Sequence, residues 1–266
     1  MAADLSAHVH DPSSVAVEHA HHVAFHTGLG GHRLALGPGF QPSLIPSYAK
    51  QVYQRGNIAV VASGASQAEL EKWTSQFLTE VPTGTGIASS PTKYFGGENR
   101  TYNNSGDAIV IGFPGSQGGP TFKPETSVIA YLLGGQASTK WNAGTSTLSQ
   151  AVAQLPGVKA IAKHTAYSDA GLLTITVTGP QSLLAAAGTQ VAQAISGLAT
   201  VKAEDVKKAI NQAKFDVLAA AEDRSVGLEL VGQSVIASGK APQVEDVVKA
   251  LEGVTVESIK TVSIPN

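Results

Sequence analysis

The most regular pattern of hydrophobic and polar positions lies between residues 99 and 179. Apolar and β-branched residues dominate Asp107–Phe113, which predicts a strand, and the spacing over Pro124–Leu133 predicts a helix. Ala160–Ser168 and Gly171–Thr178 are rich in β-branched residues that alternate with others, and only two residues separate them. They therefore predict an antiparallel hairpin. The whole pattern predicts an α+β fold, in which a largely antiparallel sheet is covered by helices laid on one face.

The first third of the chain predicts three helices and one strand. Asp11 can cap a helix that has Pro12 at its first position. Ser66 and Glu69 form a capping-box pattern that opens another helix. The predicted elements are a helix from Pro12 to Thr27, a helix over Pro42–Arg55, a short buried strand over Ile58–Ser63, and a helix with Leu70, Trp73 and Phe77 on one stripe.

Two long helices are predicted after the hairpin, and shorter helices fill residues 226–259. The first long helix begins at Pro180, and the second spans Lys202–Asp223. Their apolar stripes are Leu184, Val191, Ile195 and Leu198 in the first, and Val206, Ile210, Ala213 and Val217 in the second.

Composition excludes several classes of function. The chain has 266 residues, of which 42% are hydrophobic and 14% charged, so it can bury one large core or two modest ones. The net charge of -2 offers no basic surface for phosphate groups, and we expect no nucleic-acid partner. The absence of cysteine excludes thiolate chemistry. No apolar run reaches the roughly 18 to 20 residues of a membrane helix, so we expect no direct membrane span.

Histidines make metal binding the first chemistry to consider, because seven of the eight lie within the first 32 residues. On the predicted N-terminal helix, His19, His22 and His26 can share one face and bind zinc or nickel. A zinc hydrolase of the His-x-x-Glu-His type is excluded, because the residue three positions before Glu18 is Val15. We expect a structural role for these histidines, with metal binding as the weaker alternative.

A glycine-flanked loop spans residues 134–144 and contains Gly134, Gly135, Lys140 and Gly144. It fails the phosphate-loop pattern, because no glycine precedes Lys140 and a tryptophan follows it. We expect a helix C-cap and a surface turn, with a substrate-contacting loop as the alternative. The chain also lacks a Gly-x-Ser-x-Gly elbow for a serine nucleophile. We predict no catalytic residue, no cofactor and no small-molecule ligand.

Three stretches of sequence carry a family resemblance. They are Ala20–Phe25 followed by Gly28–Gly30, then Leu132–Gly135 with Ser149–Val152, and finally Ala166–Leu172. The Tyr-Ser-Asp-x-Gly-Leu pattern in the last stretch is the most specific. Over about residues 15 to 260, the chain resembles the insulinase, pitrilysin and mitochondrial processing peptidase family of zinc peptidases. Within that family it is most similar to the fungal core proteins of mitochondrial ubiquinol–cytochrome c reductase.

The resemblance implies a division of the chain, because family members pair two similar α+β halves. On that analogy, residues 1–82 are the incomplete closing part of the first half, 83–92 a linker and 93–266 the second half. The zinc motif of the family belongs to the early first half, so no metal ligand carries over. Family members continue past the last helix into a closing strand, and we therefore expect a fragment or a shortened form with open sheet edges.

The resemblance also implies a function, which is a non-catalytic structural subunit that scaffolds the matrix-side arm of the respiratory complex. The implied partners are another core subunit and membrane-anchored subunits, at the mitochondrial inner membrane. No arginine-rich transit peptide is visible, because the first basic residue is Arg33. Two alternatives stay open: a non-catalytic, substrate-binding alpha-like subunit of a processing peptidase, and a stand-alone histidine-rich metal-binding module.

Overall fold

A computed structural model describes residues 2–32, 41–84, 90–134, 146–241 and 243–262. The chain groups into two compact units. The first unit comprises Met1–Leu36, Thr92–Asp216 and Val248–Asn266, and the second comprises Gly37–Pro91 and Val217–Val247. The first unit draws residues from both sides of the predicted linker. The division into residues 1–82, 83–92 and 93–266 stays a prediction.

Helices form most of the regular structure in the described residues. Within these ranges, every helix is too short or too polar to cross a membrane. The helices are α1 (Ala2–Val9), α2 (Pro12–Phe25), α3 (Ile45–Val52), α4 (Gln67–Phe77), α5 (Pro124–Leu133), α6 (Thr147–Ala151), α7 (Gln181–Ser196), α8 (Ala203–Glu222), α9 (Arg224–Ser238), α10 (Val244–Glu252) and α11 (Val256–Thr261).

The first unit contains a sheet of three antiparallel strands in the order β1-β3-β2. The strands are β1 (Ala108–Pro114), β2 (Lys159–Ala166) and β3 (Gly171–Thr178). The register between β2 and β3 places Ala162 opposite Ile175, as a direct hairpin requires. The predicted α+β fold and its hairpin are therefore confirmed.

Helices cover both faces of this sheet, and not the single face that the sequence pattern predicts. Gly188 of α7 lies against Ile109, because a Cβ at Gly188 would be 3.7 Å from Ile109 Cδ1. Phe25 of α2 packs instead with Leu172, which points to the opposite face. Consecutive apolar residues explain the difference: Leu172 and Leu173 place one buried side chain on each face. A one-sided cover would leave Leu172 in water.

The long helices contribute the side chains that the sequence pattern assigns to the interior. Most of these predicted inward positions are buried, while Ile210 and Val217 are half-buried. The buried members of the two predicted stripes are Leu184, Val191, Ile195, Leu198, Val206 and Ala213. The spacing of apolar residues therefore predicts the core-facing side of both helices correctly.

In the second unit, the predicted capping box forms at the start of α4. The Glu69 N–H donates to Ser66 Oγ, and the Ser66 N–H donates to the Glu69 carboxylate. The apolar stripe of this helix is largely exposed. Trp73 and Phe77 stack with ring centroids 5.8 Å apart, yet they are 51% and 75% exposed.

The strand predicted over Ile58–Ser63 does not form, and this prediction was wrong. Ile58 has extended dihedral angles, with φ -121° and ψ 130°. Among the described residues, however, no strand pairs with the run, and Val60 is 45% exposed. An extended run becomes a sheet strand only when a neighbour satisfies its N–H and C=O groups. Apolar content indicates strand propensity but not the presence of that neighbour.

We expect Leu133→Ala to lower the free energy of unfolding by about 3 kcal/mol, because Leu133 at the end of α5 is fully buried and its loss leaves a cavity. Urea denaturation of the purified chain measures the change. Leu44→Ala is the matched control, since Leu44 is 57% exposed and its truncation should cost less than about 0.5 kcal/mol. Equal losses in the two variants would contradict the assignment of the core.

Candidate functional site

The most specific part of the sequence resemblance forms the tip of the β2–β3 hairpin. Tyr167 closes this tip, because its N–H donates to the Ala170 carbonyl at 2.8 Å. The Tyr167 carbonyl in turn accepts from the Gly118 N–H at 2.7 Å. The tip is thereby fastened to the loop that follows β1.

The tip also contacts α2 through His21. The Nδ1 atom of His21 lies 2.7 Å from the Val17 carbonyl, which can only accept, so Nδ1 carries the proton. In the neutral imidazole, Nε2 is then the acceptor, and the Tyr167 hydroxyl donates to it at 2.7 Å. The two hydrogen bonds together fix the orientation of the imidazole ring.

Three further residues of the Tyr-Ser-Asp-x-Gly-Leu pattern have structural roles. The carboxylate of Asp169 accepts from the Thr92 N–H at 2.8 Å. Position 171 requires glycine because the Ser116 backbone lies so close that a Cβ there would be 2.1 Å from the Ser116 carbonyl oxygen. Leu172 is fully buried and packs with Ala24 and Phe25 of α2. We call this arrangement the hairpin clasp, formed by Tyr167, Asp169, Gly171 and Leu172 with their partners His21 and Thr92.

A serine–histidine pair beside the clasp resembles a catalytic dyad but connects structural elements. His164 Nε2 donates to the Ser116 carbonyl at 3.0 Å, which leaves Nδ1 to accept from the Ser127 hydroxyl at 2.9 Å. Burial lowers the pKa of His164, and the hydrogen bond to Ser116 opposes that shift only in part. The imidazole thus joins α5, β2 and the loop after β1 in its neutral form.

Each of the three histidines of the weaker metal hypothesis contacts a group outside the trio, and the rings of His22 and His26 also meet edge to face, with centroids 6.3 Å apart. Asn99 Nδ2 donates to His19 Nδ1 at 3.2 Å, and His22 Nδ1 donates to the Gly30 carbonyl at 3.1 Å. The ring of His26 packs against Phe95, with centroids 4.6 Å apart. Over the described ranges, no three His, Asp or Glu side chains are arranged to hold a metal ion.

Sequence reasoning missed a buried carboxylate on α2. Glu18 is only 7% exposed, and its two oxygens lie 2.5 Å from His8 Nε2 and 3.0 Å from His32 Nδ1. His32 also stacks on His22, with centroids 5.9 Å apart. The sequence shows several histidines near Glu18. Which of them pair with its carboxylate depends on the positions of α1, which carries His8, and of the chain after residue 30, which carries His32. Local spacing along the sequence does not predict those positions.

The glycine-flanked loop is described only at its first residue. Gly134 ends α5 with φ 66°, and its N–H donates to the Ala130 carbonyl at 2.7 Å, as expected for a C-cap. Its carbonyl accepts from the Ala162 N–H of β2 at 2.8 Å. Gly135, Lys140 and Gly144 lie outside the described residues.

A groove of about 520 Å³ lies in the first unit between α2, β1 and the segment 94–101. Its α2 side carries His19 and small apolar side chains, including Ala20 and Val23. Arg100 and Glu98 lie on the opposite side and form an ion pair. The two charged side chains that line the groove neutralise each other, so neither is left unpaired to bind an ionic substrate.

A family model described as peptidase M16 inactive domain matches residues 42–213. The sequence is similar to the mitochondrial cytochrome b-c1 complex subunit 2 of Neurospora crassa, with 44% identity over 262 residues. These cover 94% of this chain and 57% of the relative. The same subunit of Schizosaccharomyces pombe is 31% identical, with coverage of 78% and 49%. The mitochondrial-processing peptidase subunit alpha-2 of Dictyostelium discoideum is 25% identical, with coverage of 97% and 60%.

Solved structures share the fold at lower sequence identity. A chain of Complex III2 from Candida albicans, with Inz-5 bound, superposes with a TM-score of 0.84 at 16% identity and covers 97% of this chain and 65% of its own length. A peptidase M16 inactive domain from Pseudomonas fluorescens gives 0.72 at 14% identity, with coverage of 97% and 64%. The chain thus spans about half to two thirds of these proteins.

We expect Tyr167→Phe to lower the free energy of unfolding by about 1 to 2 kcal/mol, because it removes the hydroxyl that donates to His21 Nε2 and leaves that half-buried atom without this donor. Tyr102→Phe is the matched control, since Tyr102 is 90% exposed. Urea denaturation of both variants measures the difference. A Tyr167→Phe variant as stable as the control would show that the clasp hydrogen bond is dispensable.

We expect His164 to make the fold less stable at acidic pH. Its pKa is lowered in the folded chain, so the unfolded chain binds the proton more readily below the ordinary histidine value of about 6.5. The free energy of unfolding therefore falls as pH decreases through that value. Urea denaturation at pH 7.5 and 5.5 should show a smaller loss for His164→Gln than for the unsubstituted chain. His10→Gln, at an exposed position, should retain the full loss.

Proposed function

The chain belongs to the peptidase M16 inactive domain family, and from this membership we propose that it acts as a non-catalytic structural subunit of the mitochondrial cytochrome b-c1 complex. This complex is ubiquinol–cytochrome c reductase, or complex III. The chain would correspond to subunit 2. The observation that carries the proposal is the 44% identity to the Neurospora crassa subunit 2, which extends over 94% of this chain.

The geometry of the hairpin clasp supports a structural role. Its polar groups bond to other groups of the same chain, as the Tyr167 hydroxyl does to His21 and the Asp169 carboxylate to the Thr92 N–H. A catalytic centre needs polar groups aimed at a space that a substrate can enter. In the clasp these groups connect helix, strand and loop, as expected for a subunit with a structural role.

We further propose the finer placement that the sequence resemblance implies. The subunit would scaffold the matrix-side arm of the complex, at the inner mitochondrial membrane. Its partners would be the other core subunit and the membrane-anchored subunits. Residues 1–82 would form the closing part of a first peptidase-like half, and residues 93–266 a second half.

A second candidate is the non-catalytic, alpha-like subunit of a processing peptidase. The observation in its favour is the similarity to the Dictyostelium discoideum alpha-2 subunit, at 25% identity. In this role, the glycine-flanked loop at residues 134–144 would hold an incoming presequence. Deletion of that loop should then abolish presequence binding, whereas a complex III subunit would show no such loss.

Co-purification tests the leading proposal. We expect an affinity-tagged copy of the protein, expressed in its own cells, to be recovered with solubilised complex III in a constant ratio to cytochrome b. An intact protein that is present in mitochondria but absent from isolated complex III would refute the proposal. Recovery with a processing peptidase instead would favour the second candidate.

A further inference from the structure

The loop between β1 and α5, residues 115–123, is attached to the hairpin by polar contacts. Its Gly118 N–H donates to the Tyr167 carbonyl at 2.7 Å, and its Ser116 carbonyl accepts from His164 Nε2 at 3.0 Å. Of the loop side chains that the structure describes, only Ser116 is buried. Segments with few buried apolar contacts open at a low free energy while the rest of a protein stays folded. This loop is therefore a part of the first unit that can detach alone.

The helix that follows the loop is attached differently. Helix α5 buries four large apolar side chains, which are Val128, Ile129, Leu132 and Leu133. These side chains hold α5 in the core whether or not the loop keeps its contacts. The loop itself contains three glycines, and glycine gains more backbone freedom on release than any other residue. Opening of the loop therefore need not disturb α5.

Three residues of the loop enclose the imidazole of His164. A Cβ on Gly115 would be 2.9 Å from two atoms of the ring, so the Gly115 backbone lies directly against it. The ring of Phe122 is inclined by 25° to the imidazole, with centroids 6.4 Å apart. The Ser116 carbonyl accepts the Nε2 proton at the ring edge. Opening of the loop would remove this cover and let water reach the ring.

The enclosed ring favours its neutral form. Burial lowers the pKa of His164, and the hydrogen bond to Ser116 opposes that shift only in part. Among the described residues, no charged side chain contributes to the shift. Hydration is thus the main stabilisation that a protonated ring can gain. The titratable side chains on the surrounding elements are Lys159 and Lys163 of β2, Lys123 at the end of the loop, Glu125 and Tyr131 of α5, and His21, Tyr167 and Asp169 at the hairpin clasp.

We propose that His164 is a proton-controlled latch for this loop: when its imidazole binds a proton, residues 115–123 detach from the hairpin while the rest of the first unit stays folded. Detachment hydrates the charged ring and breaks the bond between the Gly118 N–H and the Tyr167 carbonyl. The hairpin clasp then loses its attachment to the loop and keeps the packing of Leu172 on α2. The proposal is independent of the proposed function.

The direction of the pH response follows from the two positions of the loop. When the loop is open, the hydrated ring has the ordinary histidine pKa of about 6.5. When the loop is closed, the pKa of His164 is lower, so the open form binds the proton first as pH falls. Between pH 7.5 and pH 5.5, the opening equilibrium constant therefore increases by up to about tenfold.

Amide hydrogen exchange of the 266-residue chain, detected by NMR and corrected for the intrinsic exchange rate at each pH, tests the proposal. From pH 7.5 to 5.5, we expect the protection factor of the Gly118 N–H to fall about three- to tenfold. Low urea concentrations should leave it unchanged, because opening of one loop exposes little surface. The N–H of Val191, which is fully buried in α7, should respond to urea. A Gly118 N–H as protected and as urea-dependent as that of Val191 would show that the loop opens only on global unfolding and would overturn the proposal.

His164→Gln tests whether this histidine controls the opening. Glutamine binds no proton in this range, so the protection factor of the Gly118 N–H should be equal at the two pH values. His10→Gln, at an exposed position, is the matched control and should keep the full fall. A fall that persists in His164→Gln would assign the response to another group, such as His21, and refute the proposal. In the unsubstituted chain, a protection factor that does not change with pH would refute it as well, without any variant.

Discussion

The close approach between Gly171 and Ser116 is the constraint on which the rest of the first unit depends. Any side chain at position 171 would collide with the Ser116 carbonyl, so only glycine lets the hairpin tip lie against the loop after β1. That approach brings Tyr167 within hydrogen-bonding distance of His21 and directs Leu172 toward α2. A helix from the beginning of the chain is thereby fixed to a hairpin near its middle.

Polar pairs that resemble catalytic groups serve this architecture. Ser127 and His164 connect α5 to β2, and the buried Glu18 connects α2 to His8 and His32. In each case a titratable group is held by other groups of the chain and packed between elements. In this fold, serine, histidine and glutamate side chains thus hold helices and strands together. Such a structural use agrees with the description of the family to which the chain belongs, the peptidase M16 inactive domain.

Local signals in the sequence predict much of the fold. The Asp11 cap, the capping box at Ser66 and the β2–β3 hairpin all form, because each depends on residues only a few positions apart. Long-range pairing is harder to predict. The run at Ile58–Ser63 has strand propensity but finds no partner among the described residues. The packing of α2 on the second sheet face likewise depends on segments distant in sequence.

The same limit applies to the candidate site. The Tyr-Ser-Asp-x-Gly-Leu pattern identifies the important residues of the hairpin tip, but not the role of each one. Gly171 is needed because the Ser116 carbonyl lies so close to it, and Tyr167 is needed because its hydroxyl donates to the His21 imidazole. Both roles depend on where Ser116 and His21 lie in space. No spacing rule along the chain contains that information, because the partners come from separate elements.

The hydrogen bond between His21 and Tyr167 joins residues 146 positions apart, and this separation matters for biosynthesis. At about 5 to 20 residues per second, translation would need roughly 7 to 30 s to deliver the tyrosine after the histidine. During that interval α2 exposes Ala24 and Phe25, which the finished fold buries. A nascent chain with such a delay is vulnerable to aggregation, and the first helix would benefit from a chaperone until the hairpin has emerged from the ribosome.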